Sequence, residues 1–164
     1  MKMLGGRWLF KLAALFGAGA LLASCEGVMT GTAVAVVALE PEVDGGFKPV
    51  QLALTAEMSP VALNLRAEHA DVVSEIGKWN RYRATLTRAG RTIASGEFNL
   101  NNTSTPEGRG APYAVQNMLI AHIGASGEYE LTIRPVKSVE VTLTGVHVEV
   151  RRNVQVSQPD AGTR

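Results

Sequence analysis

NRYRATLTRAGRTIASGEF, residues 80–98, carries the clearest structural pattern in this chain. In its first half, apolar and polar side chains alternate, which places Tyr82, Ala84 and Leu86 on one face of an extended chain. Ala89-Gly90 then predicts a tight turn, and residues 92–98 return with weaker alternation. We therefore predict an antiparallel β-hairpin with one buried face.

The same period of two recurs on both sides of this hairpin, in Val50–Leu54, Val61–Arg66 and Tyr129–Arg134. Pro135 ends the segment Tyr129–Arg134. The pattern of residues 113–123 is compatible with either a strand or a helix. Roughly seven to nine short strands separated by turn residues are typical of an all-β antiparallel sandwich. We predict such a sandwich over residues 49–154, with an immunoglobulin-like or a jelly-roll topology, followed by a flexible tail at 155–164.

A change of phase near the C-terminus makes a more specific prediction. Val139, Val141 and Leu143 occupy odd positions, whereas the apolar residues after Gly145 occupy even ones: Val146, Val148 and Val150. A regular strand would turn one of these triplets to solvent. We therefore expect two antiparallel strands with a bulge or tight bend at Gly145, which keeps both triplets on the core.

The N-terminus has the pattern of a secretory signal. Three basic residues, Lys2, Arg7 and Lys11, precede an apolar run that ends in Leu22-Ala23-Ser24-Cys25. These four residues resemble the lipobox of bacterial lipoprotein precursors. The resemblance implies that residues 1–24 are removed and that Cys25 is acylated, for example with palmitate. The acyl chains would then insert in the membrane. It also implies an outer-membrane lipoprotein facing the periplasm or the surface, because Glu26 is not the aspartate that retains such proteins in the inner membrane.

An uncleaved anchor is the alternative interpretation of the N-terminus. Apolar residues resume at Val28 and continue to Leu39, so a single membrane-spanning helix through Leu39 is conceivable. Glu26 and the valine-rich second half argue against it, since a carboxylate inside a span costs roughly 2.5 to 3.5 kcal/mol. In the lipoprotein interpretation, residues 25–48 form a tether with a candidate first strand.

Charge and composition argue against several classes of function. The chain has 16 basic and 15 acidic residues, and without Lys2, Arg7 and Lys11 the mature form has 13 basic residues and a net charge of about minus 2. Binding to nucleic acid therefore has no support. With 46% hydrophobic residues, the chain can form a core.

Catalytic and metal-binding motifs are not found in the sequence. None of the three histidines, His69, His122 and His147, has a second histidine or a cysteine at the spacing that metal sites use. The carboxylates beside His69, in Glu68-His69-Ala70-Asp71, could form an open site with it, but a solvated turn explains them as well. No nucleophile elbow, phosphate loop or dinucleotide fingerprint occurs. Glu128 and Glu130 lie on one strand face and could serve as the paired carboxylates of a glycosidase, but outward acidic residues of any strand have the same spacing. We expect no metal, no cofactor and no enzymatic activity.

The best candidate surface lies at the start of the hairpin, around Trp79, Arg81, Tyr82 and Arg83. An exposed tryptophan beside arginines can stack on a sugar or hold an anion such as phosphate or a carboxylate. In the competing interpretation, Trp79 closes one end of the core and the arginines form a solvated strand face.

The second candidate surface is the polar stretch Asn99–Pro112, which predicts a long surface loop containing Asn101, Asn102 and Arg109. Taken together, these features predict a lipid-anchored cell-envelope protein. We expect its sandwich to bind or brace another envelope component, namely an envelope protein, without catalysing a reaction. The alternatives are a carbohydrate- or small-ligand-binding module on the Trp79, Arg81 and Arg83 face, and a single-pass anchored periplasmic domain.

Overall fold

A computed structural model describes residues 30–69, 73–101 and 113–156 of this chain. Several predicted features lie outside the described residues. They are the signal peptide (1–24), the lipid-attachment residue Cys25, the loop residues Asn102 and Arg109, and the end of the C-terminal tail.

The described residues form eight β-strands. The strands are β1 (Thr32–Ala38), β2 (Phe47–Leu54), β3 (Val61–His69), β4 (Trp79–Arg88), β5 (Arg91–Asn101), β6 (Tyr113–Ala121), β7 (Gly127–Pro135) and β8 (Leu143–Arg152). Two short 3-10 turns accompany them, at Ala56–Met58 and Val73–Glu75. The predicted all-β class is confirmed, and residues 113–121 are a strand. Among the described residues, no helix has the length and hydrophobicity that a membrane crossing needs.

The strands form two four-stranded antiparallel sheets, with the orders β1-β8-β3-β6 and β2-β7-β4-β5. Four of the strand pairs belong to one long antiparallel ribbon that folds back at the β4–β5 turn. These pairs are β1 with β8, β2 with β7, β3 with β6 and β4 with β5. Rolling such a ribbon into two sheets gives a jelly roll, which differs from the immunoglobulin arrangement of strands. The strand order therefore resolves the choice of topology that the sequence left open.

The core lies between the two sheets and contains the inward residues of nearly every strand. Tyr82 is at its centre, with its ring 5.9 Å from that of Phe47 and 5.6 Å from that of Phe98, measured between centroids. Such aromatic contacts add to the free energy gained by burying apolar area. The other large, fully buried side chains are Tyr129, Leu54, Leu63, Leu65, Leu86, Leu100, Leu131, Ile133, Val61, Val141 and Val148.

The predicted hairpin is confirmed as β4 and β5. Ala89 and Gly90 connect Arg88 to its partner Arg91, and both have positive φ angles, 48° and 75°. These angles are those of a type I′ turn, whose twist suits two adjoining antiparallel strands. The strand β5 is longer than predicted, because it stays paired with β4 until Asn101 lies opposite Trp79.

The predicted bulge at Gly145 is also confirmed. Between the β3–β8 pairs Arg66–His147 and Glu68–Thr144, β8 contains one residue more than β3, and Gly145 has a φ of +55°. The extra residue restores the phase, so that Leu143 and Val146 both pack against the core.

The prediction of two separate strands around this bulge was wrong. A single strand, β8, contains Gly145, whereas Val139 and Val141 precede it in the β7–β8 connection. Val139 is 40% exposed, and Val141 is buried because the side chain of Asn80 binds its backbone.

The sandwich begins at β1 rather than at residue 49. β1 pairs with β8 from Thr32–Arg152 to Ala38–His147, so it is an integral edge strand. Its run of alanine and valine lacks the polar alternation that identifies the other strands. Because residues 32–38 are extended, they do not belong to a helix continuing through Leu39.

Both described chain ends lie at the same end of the sandwich. The Gln155 N–H donates to Thr30 Oγ1 at 3.0 Å, and the β4–β5 turn lies at this Thr30 end. Antiparallel order places the β1–β2, β3–β4 and β7–β8 connections at the opposite end, which we call the Trp79 end. The candidate residues Trp79 and Asn101 therefore lie far from the point where the chain enters the fold.

Candidate functional site

The strand β4 presents Trp79, Arg81 and Arg83 on the outer surface of the β2-β7-β4-β5 sheet. All three are exposed, whereas the intervening Asn80 and Tyr82 are buried. The predicted common face of Trp79, Arg81 and Arg83 is therefore confirmed. Together with Arg134 of β7, these residues are called the arginine face below.

Tyr82 does not belong to this surface, and its assignment to it was wrong. It is 1% exposed, because the alternation of β4 turns it into the aromatic core. Its hydroxyl accepts a hydrogen bond from Asn80 Nδ2 at 3.1 Å, and burial raises the pKa of Tyr82 despite that hydrogen bond.

Trp79 is partly covered by a lysine. The Lys137 ammonium lies 3.6 Å from the centroid of the indole ring and is also paired with Glu140. This cation–π contact occupies one face of the indole ring, and the residue as a whole is 36% exposed. Trp79 is therefore not part of the hydrophobic core, and Lys137 must move before a sugar can stack on that face.

Arg81 and Arg83 share one carboxylate across the β4–β5 pair. Glu97 lies opposite Arg83 in the register, forms an ion pair with it, and approaches Arg81 Nη2 at 2.6 Å. The hydrogen bond from Arg83 and the charge of Arg81 together lower the pKa of Glu97. Both guanidinium groups are thereby oriented while their side chains stay about half exposed.

The strand β7 brings a further arginine to this face. Arg134 lies directly opposite Arg83 in the β4–β7 register. Like charges in this position repel one another, and the repulsion is offset because Arg134 forms an ion pair with Glu42 and lies 3.7 Å from Asp44. Arg134 was not among the predicted site residues, because nothing in the sequence says that β7 pairs with β4.

A shallow depression of about 430 Å³ lies between these two arginines. Thr85 and Thr132 are the next opposed pair on the same face of the sheet, and they lie beside Arg83 and Arg134. The Thr132 hydroxyl donates to the Thr85 carbonyl oxygen at 3.4 Å, and the Thr85 hydroxyl lies 3.2 Å from the Ser95 hydroxyl. The full lining is Arg83, Thr85, Thr132, Arg134, Pro135 and Val136.

The second predicted surface is described only at its start. Asn101 is exposed at the end of β5, opposite Trp79, and lines a smaller depression of about 220 Å³ between the edges of β5 and β6. Two arginines of the hairpin are separate from the arginine face, because Arg88 and Arg91 flank the turn at the Thr30 end. Arg88 donates to the Ser126 carbonyl oxygen at 2.8 Å and lies over the ring of Tyr129.

The outer surface of the other sheet contains a polar network that we did not predict. Glu149 is 7% exposed and accepts hydrogen bonds from Arg66 and Arg151, both at 2.9 Å. Beside it, Asn117 Nδ2 donates to Oδ1 of the buried Asn64 at 2.9 Å. Arg151 also donates to the carbonyl oxygens of Thr30 and Gly31, which attaches the start of the described chain to this sheet.

The histidines and acidic residues do not converge in the part of the chain that is described. His122 is exposed, and His147 Nδ1 lies 2.9 Å from the Gly145 carbonyl oxygen. Glu130 accepts a hydrogen bond from Gln51 at 3.0 Å. No group of three or more His, Cys, Asp or Glu side chains that could hold a metal occurs within residues 30–69, 73–101 and 113–156.

No protein-family model, curated protein or solved structure matches this chain. Its function is therefore inferred from the chemistry of its own residues.

Proposed function

We propose that this chain is a lipid-anchored protein of the bacterial cell envelope, and that its sandwich binds another envelope protein without catalysing a reaction. The resemblance of Leu22–Cys25 to a lipobox supports the anchor, and Glu26 favours the outer membrane. The observation that supports a binding role is the exposed outer edge of β1.

β1 reads TAVAVVA and contains no charged residue and no proline. All of its residues except Val37 are exposed, including Val34 at 40% and Val36 at 60%. Among the described strands it pairs with β8 alone, so its other edge offers backbone donors and acceptors. Exposed apolar edges of this kind bind an added strand, and proteins usually protect them with charges or proline. The edge strand β2 has both, in Lys48 and Pro49.

The position of β1 relative to the anchor indicates which partner fits. Four residues lie between Cys25 and Thr30. The five residue steps span at most about 18 Å, so the tether keeps the Thr30 end near the membrane. Two copies joined antiparallel through β1 would have their Thr30 ends pointing in opposite directions. With β1 upright on the membrane, one bilayer could not then anchor both copies over such a tether. We therefore propose that the edge takes an extended segment of a different envelope protein.

The anchor is tested by the intact mass of the protein extracted from membranes. We expect a chain that begins at Cys25 and has added acyl mass, and we expect a Cys25→Ser variant to lack that mass. A full-length, unmodified chain would overturn the lipoprotein assignment and favour an uncleaved anchor that ends before β1.

The partner is tested with a photo-crosslinking amino acid at Val36 in the full-length protein in its membrane. The same amino acid at Ile93 is the matched control, since Ile93 is 40% exposed but lies on β5 of the other sheet. We expect one discrete protein adduct from Val36 that is missing from Ile93. Equal labelling at both positions, or none at Val36, would contradict the proposed edge.

A second candidate function is the binding of a small ligand or glycan at the arginine face. The depression between Arg83 and Arg134 favours it, because it combines two cationic side chains with two threonine hydroxyls. A glycan array tests this function. We expect binding that is weakened in Arg83→Gln and retained in Arg91→Gln, an exposed arginine at the opposite end of the hairpin.

A further inference from the structure

We propose that the depression between Arg83 and Arg134 binds the oxyanion of a hydroxyl-rich ligand, either the carboxylate of an acidic sugar or the phosphate of a polyol phosphate. This inference names the ligand class for the second candidate function and rests on it. It does not depend on the lipid anchor.

Two cations are placed on one small surface by the register itself. Arg83 and Arg134 are direct neighbours across β4 and β7, and their side chains are 58% and 43% exposed. Directly opposed like charges destabilise a sheet. Glu97, Glu42 and Asp44 offset part of this repulsion from the flanks, and an anion between the two arginines would offset the remainder.

The carboxylates that partner these arginines lie on the flanks of the depression. Glu97 is on β5, on the far side of β4, and Glu42 is in the β1–β2 connection beyond β7. No acidic residue is among the six that line the depression. A guanidinium group has five N–H donors, and one carboxylate takes at most two of them in the bidentate geometry. Donors therefore remain for a ligand.

The ion pairs also hold the two guanidinium groups in place before a ligand binds. Arginine loses rotational freedom when it is immobilised, and this loss opposes binding. Glu97 and Glu42 impose much of that restriction in the free protein. The remaining cost of ordering the side chains on binding is correspondingly smaller.

The rest of the lining suits a hydroxylated ligand. Thr85 and Thr132 supply hydroxyl groups beside the arginines, and Pro135 with Val136 forms an apolar wall. Sugar rings present hydroxyl groups together with apolar C–H surface, which matches this combination. A volume of about 430 Å³ is also within the range of small-ligand sites.

The test is calorimetric titration of the full-length protein in detergent micelles. The probes are trigalacturonate, its neutral methyl ester and glycerol 3-phosphate. We expect one of the two anions to bind, weakly and with an affinity that falls as salt is added. The anion that binds identifies the source of the oxyanion. The neutral ester should bind at least about tenfold more weakly than the acid if the acid is the ligand.

The variant that tests the site is Arg134→Gln, and Arg91→Gln is the control. We expect Arg134→Gln to weaken anion binding by about tenfold or more and Arg91→Gln to leave it unchanged. Thermal melting establishes that each variant is folded. Anion binding that survives Arg134→Gln would overturn the site. Equal binding of acid and ester would overturn the anion class and leave the second candidate function intact. Failure of every probe and of the glycan array would overturn both.

Discussion

The side chain of Asn80 binds the backbone of Val141 through both of its polar atoms. Nδ2 donates to the Val141 carbonyl oxygen at 2.8 Å, and Oδ1 accepts from the Val141 N–H at 2.9 Å. Oδ1 also accepts from the Glu140 N–H at 2.8 Å. A fully buried asparagine on β4 thereby holds the β7–β8 connection in place. The same connection contains Lys137, which covers Trp79, so Asn80 supports the Trp79 end of the arginine face.

Asn80→Ala should destabilise the fold by about 3 kcal/mol or more, because it leaves several buried backbone groups without their hydrogen bonds. Urea denaturation measures the change. Asn101→Ala, at an exposed position on β5, is the control and should change stability by roughly 0.5 kcal/mol or less. Similar stabilities for the two variants would contradict the role of Asn80.

Gly145→Val should destabilise the fold by about 1 to 3 kcal/mol, since Gly145 has a φ of +55° that a β-branched residue resists. A new Cβ atom would also lie 3.3 Å from Glu68 Cδ. Thermal melting compares it with Gly124→Val, where a Cβ atom would meet nothing within 4 Å. If the two variants have the same melting temperature, the bulge does not require glycine.

Gly96→Ala should be destabilising for a different reason. A Cβ atom at Gly96 would lie 2.7 Å from the carbonyl oxygen of Met118, so β5 and β6 would have to separate. Overpacking of this kind typically costs about 1 to 3 kcal/mol. The neighbouring Ser95→Ala removes a hydroxyl that donates to the Ala84 carbonyl oxygen and should cost about 1 kcal/mol. Chemical denaturation measures the free energy of unfolding of both variants. A Gly96→Ala variant as stable as the unaltered protein would show that the close approach of β5 and β6 does not require glycine.

Because of Glu149, the free energy of unfolding should decrease as the pH falls. Burial alone would raise the pKa of Glu149, but the hydrogen bond from Arg151 and the charges of Arg151 and Arg66 outweigh it and lower the pKa. The unfolded chain therefore takes up its proton first as the pH falls, so the stabilisation is present above about pH 4.5 and is lost below it.

Melting temperatures between pH 7 and pH 3.5 test this dependence. Glu149→Gln should melt lower at neutral pH and show a shallower decline in acid. Glu128→Gln, at an exposed position on β7, should keep the acid dependence of the unaltered protein. An unchanged slope in Glu149→Gln would show that the acid sensitivity comes from other groups.

The features that could be predicted from the sequence depend on near neighbours in the chain. The alternation of residues 80–86 was sufficient to place Arg81 and Arg83 on one outer face, and Ala89-Gly90 identified the turn. The phase change around Gly145 identified the bulge. In each case, residues only a few positions apart contain the whole signal.

The features that could not be predicted depend on contacts between distant segments. Tyr82 was assigned to both a core face and a candidate surface, and only the packing of Phe47 and Phe98 resolved this conflict. The sequence predicts β1 only as a candidate strand of the tether, outside the sandwich, because an exposed edge strand needs no polar alternation. The depression was missed because Arg134 is separated from Arg83 by the whole of β5 and β6.

The sequence by itself determined the all-β class, the hairpin, the bulge and the outward direction of the arginines, because alternation and turn residues act along the chain. Tertiary structure decided the jelly-roll order and the pairing of Arg83 with Arg134, as well as the attachment of Val141 to Asn80. The physical reason is that period two specifies which face a residue occupies but not which strand lies beside it. Neighbouring strands are selected by how two sheets close over one core.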